Sequence, residues 1–136
     1  MHQGTRLKIL LVDDEPEILK VLQLVLRSRD YTVETARNAA DGLRLLETDS
    51  EFALVLTDYL MPGMDGCGFL LAIREQWADL PVMLMTACGM KEALMRTVNC
   101  PCSGFIEKPF GMDELFGEIE RVLPGAQRPG RTAQES

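Results

Sequence analysis

Histidine is nearly missing from this chain: His2 is the single one among 136 residues. A zinc centre wants four ligands in paired spacing, and the four cysteines (Cys67, Cys88, Cys100, Cys102) are irregularly placed with no histidines clustered beside them. Cys100-Pro-Cys102 has a spacing that permits redox chemistry, but free thiols are the plainer reading. Basic residues are also outnumbered. A net charge of -7 argues against a binder of nucleic-acid backbone, which would carry a clustered basic face. Long apolar runs are absent near the N-terminus, where Leu7–Val12 is too short for a membrane span or a secretory core segment. No glycine-rich phosphate loop follows that run. Two acids do, and they would repel a phosphate lacking a metal.

What is present fits one ordinary globular domain. Apolar residues make up 46% and charged residues 26%, and the length allows a single core without staples. The stretch Leu54-Val-Leu-Thr-Asp-Tyr-Leu-Met-Pro-Gly-Met-Asp-Gly66 sets the plan. An apolar run delivers Asp58 at its end and then breaks through Pro62 and Gly63. That places the carboxylate on the rim of a sheet.

Similar runs recur along the chain. Leu7–Val12 reads as a strand covered on both faces, followed by Asp13, Asp14 and Glu15. Pro16 then suits a first helical turn, and Ile18, Val21, Leu22, Val25 and Leu26 give one apolar face to about Ser28. Tyr31–Ala36 alternates and reads as an edge strand. Asn38 can cap a second helix running through about Glu47, with Ala39, Leu43 and Leu46 inward. Phe52–Thr57 is a third strand, and Phe69, Leu70, Ile73 and Trp77 mark a third helix. Pro81–Met85 is a buried strand ending at Thr86. Cys88–Val98 reads as a fourth helix with a thin apolar face and a weak start at Gly89. Gly104–Glu107 is a last, edge strand ending at Lys108 and Pro109. Leu115, Phe116, Ile119 and Val122 build a fifth helix, with Asp113 and Glu114 in its first turn. From Pro124 the composition is linker-like. The expected fold is α/β, a doubly wound five-stranded parallel sheet of flavodoxin-like order 2-1-3-4-5 with helices on both faces.

In a parallel sheet all strands end on one edge, so Asp13, Asp14, Asp58, Thr86 and Lys108 should converge there. Each alone has a plain explanation: a helix-start acid pair, a turn residue, a helix cap, a solvated lysine. Together they point to a site. Three close carboxylates stay ionised only beside a cation, and hard oxygen ligands favour Mg²⁺ or Mn²⁺. A hydroxyl and an ammonium suit phosphoryl oxygens, and Asp58 can act as a nucleophile that forms an acyl phosphate.

This constellation resembles the receiver domain of two-component response regulators over Leu7–Leu123. The matching motifs are Val12-Asp-Asp-Glu15, Asp58-x-x-Met-Pro-x-Met-Asp-Gly66, Met85-Thr-Ala87 and Phe105-Ile-Glu-Lys-Pro-Phe110. The resemblance implies a receiver domain over 1–123 and a tail or linker over 124–136. It implies that Asp58 accepts a phosphoryl group from a histidine kinase or phosphotransfer protein. Asp14, Asp58 and the backbone carbonyl of Leu60 would ligate Mg²⁺, with Asp13 acting through a coordinated water. Lys108 would pair with the phosphoryl group and precede a cis proline. Thr86 and Phe105 would form a switch pair that changes the face of the fourth helix, fifth strand and fifth helix for a protein target or a self-dimer. Such a chain is a cytoplasmic phosphoacceptor more than an enzyme, without direct nucleic-acid or membrane contact. Leu60 and Cys88 stand where some relatives carry polar residues, and neither readily positions an attacking water, so slow dephosphorylation is expected. Cys88 near the site could make phosphorylation redox-sensitive, though a filler thiol is the plainer reading. The alternative is a Mg²⁺-dependent phosphohydrolase with an aspartyl-phosphate intermediate, which would want an acid where Leu60 sits.

Overall fold

A run of apolar residues can be continuous only where both faces of a strand are covered, and β1 (Lys8–Val12) shows this directly. In the computed structural model, which describes residues 7–49, 51–60, 63, 65–87, 89–90 and 102–123, four of its five residues are fully buried. Ile9 and Leu11 join one core cluster while Leu10 and Val12 join another on the opposite face. β3 (Phe52–Asp58) and β4 (Val82–Thr86) are buried in the same way. β2 (Thr32–Ala36) carries the exposed Glu34, and β5 (Gly104–Glu107) alternates buried with half-buried residues. These are the edges. The sheet runs β2-β1-β3-β4-β5 and every pair is parallel, as the pattern of covered and half-covered strands requires.

Local chemistry starts and stops the helices. α1 (Pro16–Arg27) opens on a proline whose missing N–H costs nothing there, and its ends carry Glu17 and Arg27 in the orientation the helix dipole favours. Asn38 caps α2 (Ala39–Thr48), its side-chain oxygen accepting from the Asp41 N–H at 2.8 Å. Asp65 does the same for α3 (Gly66–Gln76), accepting from the Gly68 N–H at 2.9 Å. The C-terminal helix (Met112–Val122) has Asp113 and Glu114 in its first turn. Leu19, Leu22 and Leu26 of α1 and Leu115, Phe116 and Ile119 of the C-terminal helix cover one face of the sheet. Ala39 and Leu46 of α2, with Phe69, Leu70 and Ile73 of α3, cover the other.

Some expectations need correction. Val21 is 59% exposed, and Leu24 beside it 67%, while Leu19 takes the inward place. Apolar residues line most of the α1 surface, so periodicity alone could not tell which stripe faces the sheet. α3 begins at Gly66, ahead of its apolar face, and Trp77 is its half-buried C-cap. Of the thiols, Cys102 is free and half-buried, but Cys67 is disulfide-bonded, not free. Sequence spacing does not report which sulfurs a fold brings within bridging distance. Of the expected helix over Cys88–Val98 only Gly89 and Met90 are described, and neither is helical; the rest of it, with Cys88 and Cys100, lies outside the described residues, as does the tail 124–136.

Gly66 links this framework to the carboxyl edge of the sheet. Its N–H donates to the Tyr59 carbonyl at 2.6 Å, which closes the loop leaving β3. A Cβ at this position would lie 2.8 Å from the Tyr59 Cα and 3.2 Å from the Asp58 carbonyl oxygen. Backbone cannot rotate away as a side chain can. Gly66→Ala is expected to lower stability by about 2 kcal/mol, read as a lower urea midpoint with unchanged slope. An unchanged midpoint would show that the loop yields more easily than its contacts suggest.

Candidate functional site

Parallel pairing brings the strand ends together, and five functional side chains arrive on that edge. Asp13 and Asp14 follow β1, Asp58 ends β3, Thr86 ends β4, and Lys108 follows β5. Carboxylate oxygens of Asp13, Asp14 and Asp58 all lie within 4.8 Å of one another. Asp13 is fully buried and the other two are half-buried. The Lys108 Nζ stands 3.3 Å from Asp13 Oδ2 and 3.4 Å from Asp58 Oδ1. The Lys108–Pro109 bond is cis. Backbone contacts fix the same edge, with the Asp13 N–H donating to the Ala36 carbonyl at 3.2 Å and the Lys108 N–H to the Thr86 carbonyl at 2.7 Å.

Asp13 also performs the plain role its position allowed. Its Oδ1 accepts the Glu15 N–H at 3.0 Å, next to the start of α1. Its Oδ2 remains turned to Lys108. Helix start and charge cluster thus share one buried carboxylate.

One lysine does not balance three acids. Burial pushes the Asp58 carboxyl above its ordinary value; the Lys108 charge pulls it down, the Asp13 and Asp14 charges push it up, and the net direction is upward. For Lys108 burial lowers the ammonium's pKa, but the charges of Asp58 and Asp13 and hydrogen bonds to both outweigh it and hold it above that of an ordinary lysine. The cluster is therefore short of positive charge. Three oxygen donors within 4.8 Å, one of them from a buried carboxylate, suit a hard divalent cation and could hold one.

Thr86 supplies a second unmet need. It is buried, and its Oγ1 has no hydrogen-bond partner among the described residues. A buried hydroxyl left unsatisfied is unusual and marks a place where a polar group can be received. Phe105 is half-buried in β5, in register with Leu84 and on the same face of the sheet as Thr86. Leu60, directly after the acid edge, is 63% exposed. It lines a recess of about 180 Å³ with Asp58, Tyr59, Met85, Ala87, Met90 and Lys108. Every site residue expected from the sequence thus stands on or next to one edge. Asp65, the α3 cap, was not anticipated in that role, although an Asp three residues before Gly68 at the head of an apolar period was a readable signal.

A parallel doubly wound sheet with a lysine bridging a buried and a half-buried acid at its carboxyl edge defines a flavodoxin-like α/β domain with a candidate cation site. The response regulator receiver domain profile matches residues 9–120, and the chain belongs to that family, the phosphorylation-based modules of two-component signalling. The response regulator Rre1 of Synechocystis is 35% identical over 133 residues, which are 96% of this chain and 57% of that protein. The transcriptional regulatory protein GlrR of Escherichia coli is 36% identical over 115 residues, 85% of this chain and 26% of that protein. The chain spans only part of the length of these relatives. Among solved structures, the chemotaxis response regulator CheY4 of Vibrio cholerae is 29% identical with a TM-score of 0.80, over 88% of this chain and 100% of that one. No helix among the described residues is long and apolar enough to cross a membrane.

The raised Asp58 carboxyl bears on stability. A group that is harder to ionise in the folded state loses the fold stability as pH climbs from its unfolded value, here 3.8, through its raised folded value. Above that window the loss is complete. In the presence of a chelator, Asp58→Asn should therefore have a higher urea midpoint than wild type at pH 7, with the gap narrowing in acid. Added Mg²⁺ should raise the midpoint of wild type more than that of the variant. A variant less stable than wild type at pH 7 would contradict this charge balance.

Proposed function

We propose that this chain is a phosphoacceptor switch: Asp58 takes a phosphoryl group from a phosphohistidine on a histidine kinase or phosphotransfer protein. The observation that carries the reading is Lys108, which stands within 3.4 Å of both Asp58 and the buried Asp13 while Asp14 completes the acid cluster. Mg²⁺ or Mn²⁺, held by Asp14, Asp58 and the Leu60 carbonyl with Asp13 through a water, would supply neutralising charge for the transferring group. The chain's own groups do the rest. Asp58 offers a carboxylate oxygen as nucleophile, and burial keeps bulk water from competing for it. Lys108 turns from Asp58 and pairs with a phosphoryl oxygen. The Thr86 hydroxyl gains the partner it lacks by donating to another phosphoryl oxygen, and Phe105 follows inward on the same face.

The product is a changed surface more than a released molecule. Contacts made only with the phosphorylated state shift a two-state population. We place the output on the face that includes β5 and the C-terminal helix, where a protein target or a second copy would bind, in the cytoplasm. Leu60 beside Asp58 offers neither a proton acceptor nor a hydrogen bond to an attacking water, which favours a long-lived mark.

Incubation with acetyl phosphate and Mg²⁺ should add a single phosphate, seen by intact-mass measurement and absent in Asp58→Asn. Sustained turnover of ordinary phosphate esters would point instead to a hydrolase. The phosphorylated form should persist well beyond seconds without an added phosphatase, and Leu60→Asn should shorten its half-life severalfold. A half-life of seconds in the wild type would refute the protective role of Leu60.

A further inference from the structure

The acid cluster lies between two recesses of different character. On the Asp58 and Lys108 side is the apolar-walled space of about 180 Å³. On the Asp14 side is a polar recess of about 540 Å³ lined by Asp14, Arg37, Asn38 and Asp41. Asp14 belongs to both the cluster and the larger recess, so the recess adjoins the cluster. The cations differ in their commitments. Lys108 is engaged with Asp13 and Asp58, and Asp41 is already served by Arg44 and by the Asn38 amide. Arg37 is exposed and makes no ion pair or hydrogen bond among the described residues. Its backbone is nonetheless anchored, since the preceding carbonyl, of Ala36, accepts the Asp13 N–H at 3.2 Å.

We propose that Arg37 receives the leaving group of small-molecule phosphodonors and gives this site a preference for acyl phosphates. The inference rests on Asp58 being the phosphoacceptor. In that transfer an Asp58 oxygen forms a bond to phosphorus, and the bond from phosphorus to the acyl oxygen breaks. The electron pair of that bond stays with the departing carboxylate, and no proton or redox partner is needed. Negative charge therefore grows on the leaving oxygen, and the planar guanidinium fork matches a carboxylate in shape and charge. Phosphoramidate is the contrasting donor. Its nitrogen leaves as ammonia after taking up a proton, so no anion develops for Arg37 to receive.

The test compares initial rates of phosphate incorporation from acetyl phosphate and from phosphoramidate, with Mg²⁺ present, by intact mass on the full chain. Arg37→Ala should slow the acetyl phosphate reaction about tenfold, the scale of one hydrogen bond to a charged group, and change the phosphoramidate rate far less. Arg37→Lys should recover part of the loss, and Arg44→Ala should alter neither rate. Melting temperatures separate these effects from unfolding. An equal loss with both donors would mean that Arg37 acts through the general field of the site, and no loss with either would mean that it has no role; both overturn the proposal. Failure of wild type to take phosphate from either donor would instead overturn the phosphoacceptor reading, and this inference with it.

Discussion

Three carboxylates held within 4.8 Å of one another, one of them fully buried, are the constraint on which this molecule turns. Like charges so placed push their own strand ends apart unless the backbone beneath them is rigid. The sheet supplies that rigidity. β1 and β3, which carry all three acids, are the strands buried on both faces by two separate core clusters. Lys108 then ties the far edge of the sheet to its centre through two of the acids. The fold thus bears a local electrostatic cost: burial first, and then the charges of Asp13 and Asp14, raise the Asp58 carboxyl, and Lys108 offsets them only in part. A site left short of positive charge could hold a cation.

Much of this architecture was legible because strand burial leaves a mark on composition. Continuous apolar runs identified β1, β3 and β4, alternation identified β2, and those two facts together ordered the sheet. Once the strands are parallel, their ends share an edge, so the convergence of Asp13, Asp14, Asp58, Thr86 and Lys108 follows from topology. Helix orientation was less legible. Both Leu19 and Val21 fit an apolar period on α1, and only packing against the sheet decided between them. The state of Cys67 depends on which sulfurs become neighbours in space, and spacing along the chain does not carry that information. Arg37 was silent for a related reason. Nothing around it in sequence marks it, and it gains meaning only from the recess it shares with Asp14.

The buried hydroxyl of Thr86 shows how such a site can be read elsewhere. An unsatisfied polar atom is a small store of unfavourable free energy, released when a partner arrives. Thr86 and Phe105 project from the same face of adjacent strands, and Phe105 is only half-buried. In the proposed reading, the hydrogen bond gained by Thr86 biases the inward movement of the Phe105 ring. No large rearrangement of the two cores is required.

The matched relatives sharpen where individuality can reside. The matched span of residues 9–120 contains the three acids of the cluster, Thr86, Lys108 and nearly all of both core clusters, and the chain covers the whole of one solved structure and about a quarter of a longer regulator. A unit that recurs in such different settings cannot carry its specificity in the acid cluster, whose geometry follows from the sheet. Residues the fold leaves unconstrained are free to carry it. Here those include the exposed Val21 and Leu24 of α1, the exposed Leu60 at the mouth of the smaller recess, and the uncommitted Arg37 at the larger one. The last two line different recesses that adjoin the acid cluster. In the proposed reading Leu60 bears on how the mark is lost and Arg37 on how it is gained, so the lifetime and the source of phosphorylation would be tuned separately without disturbing the acids.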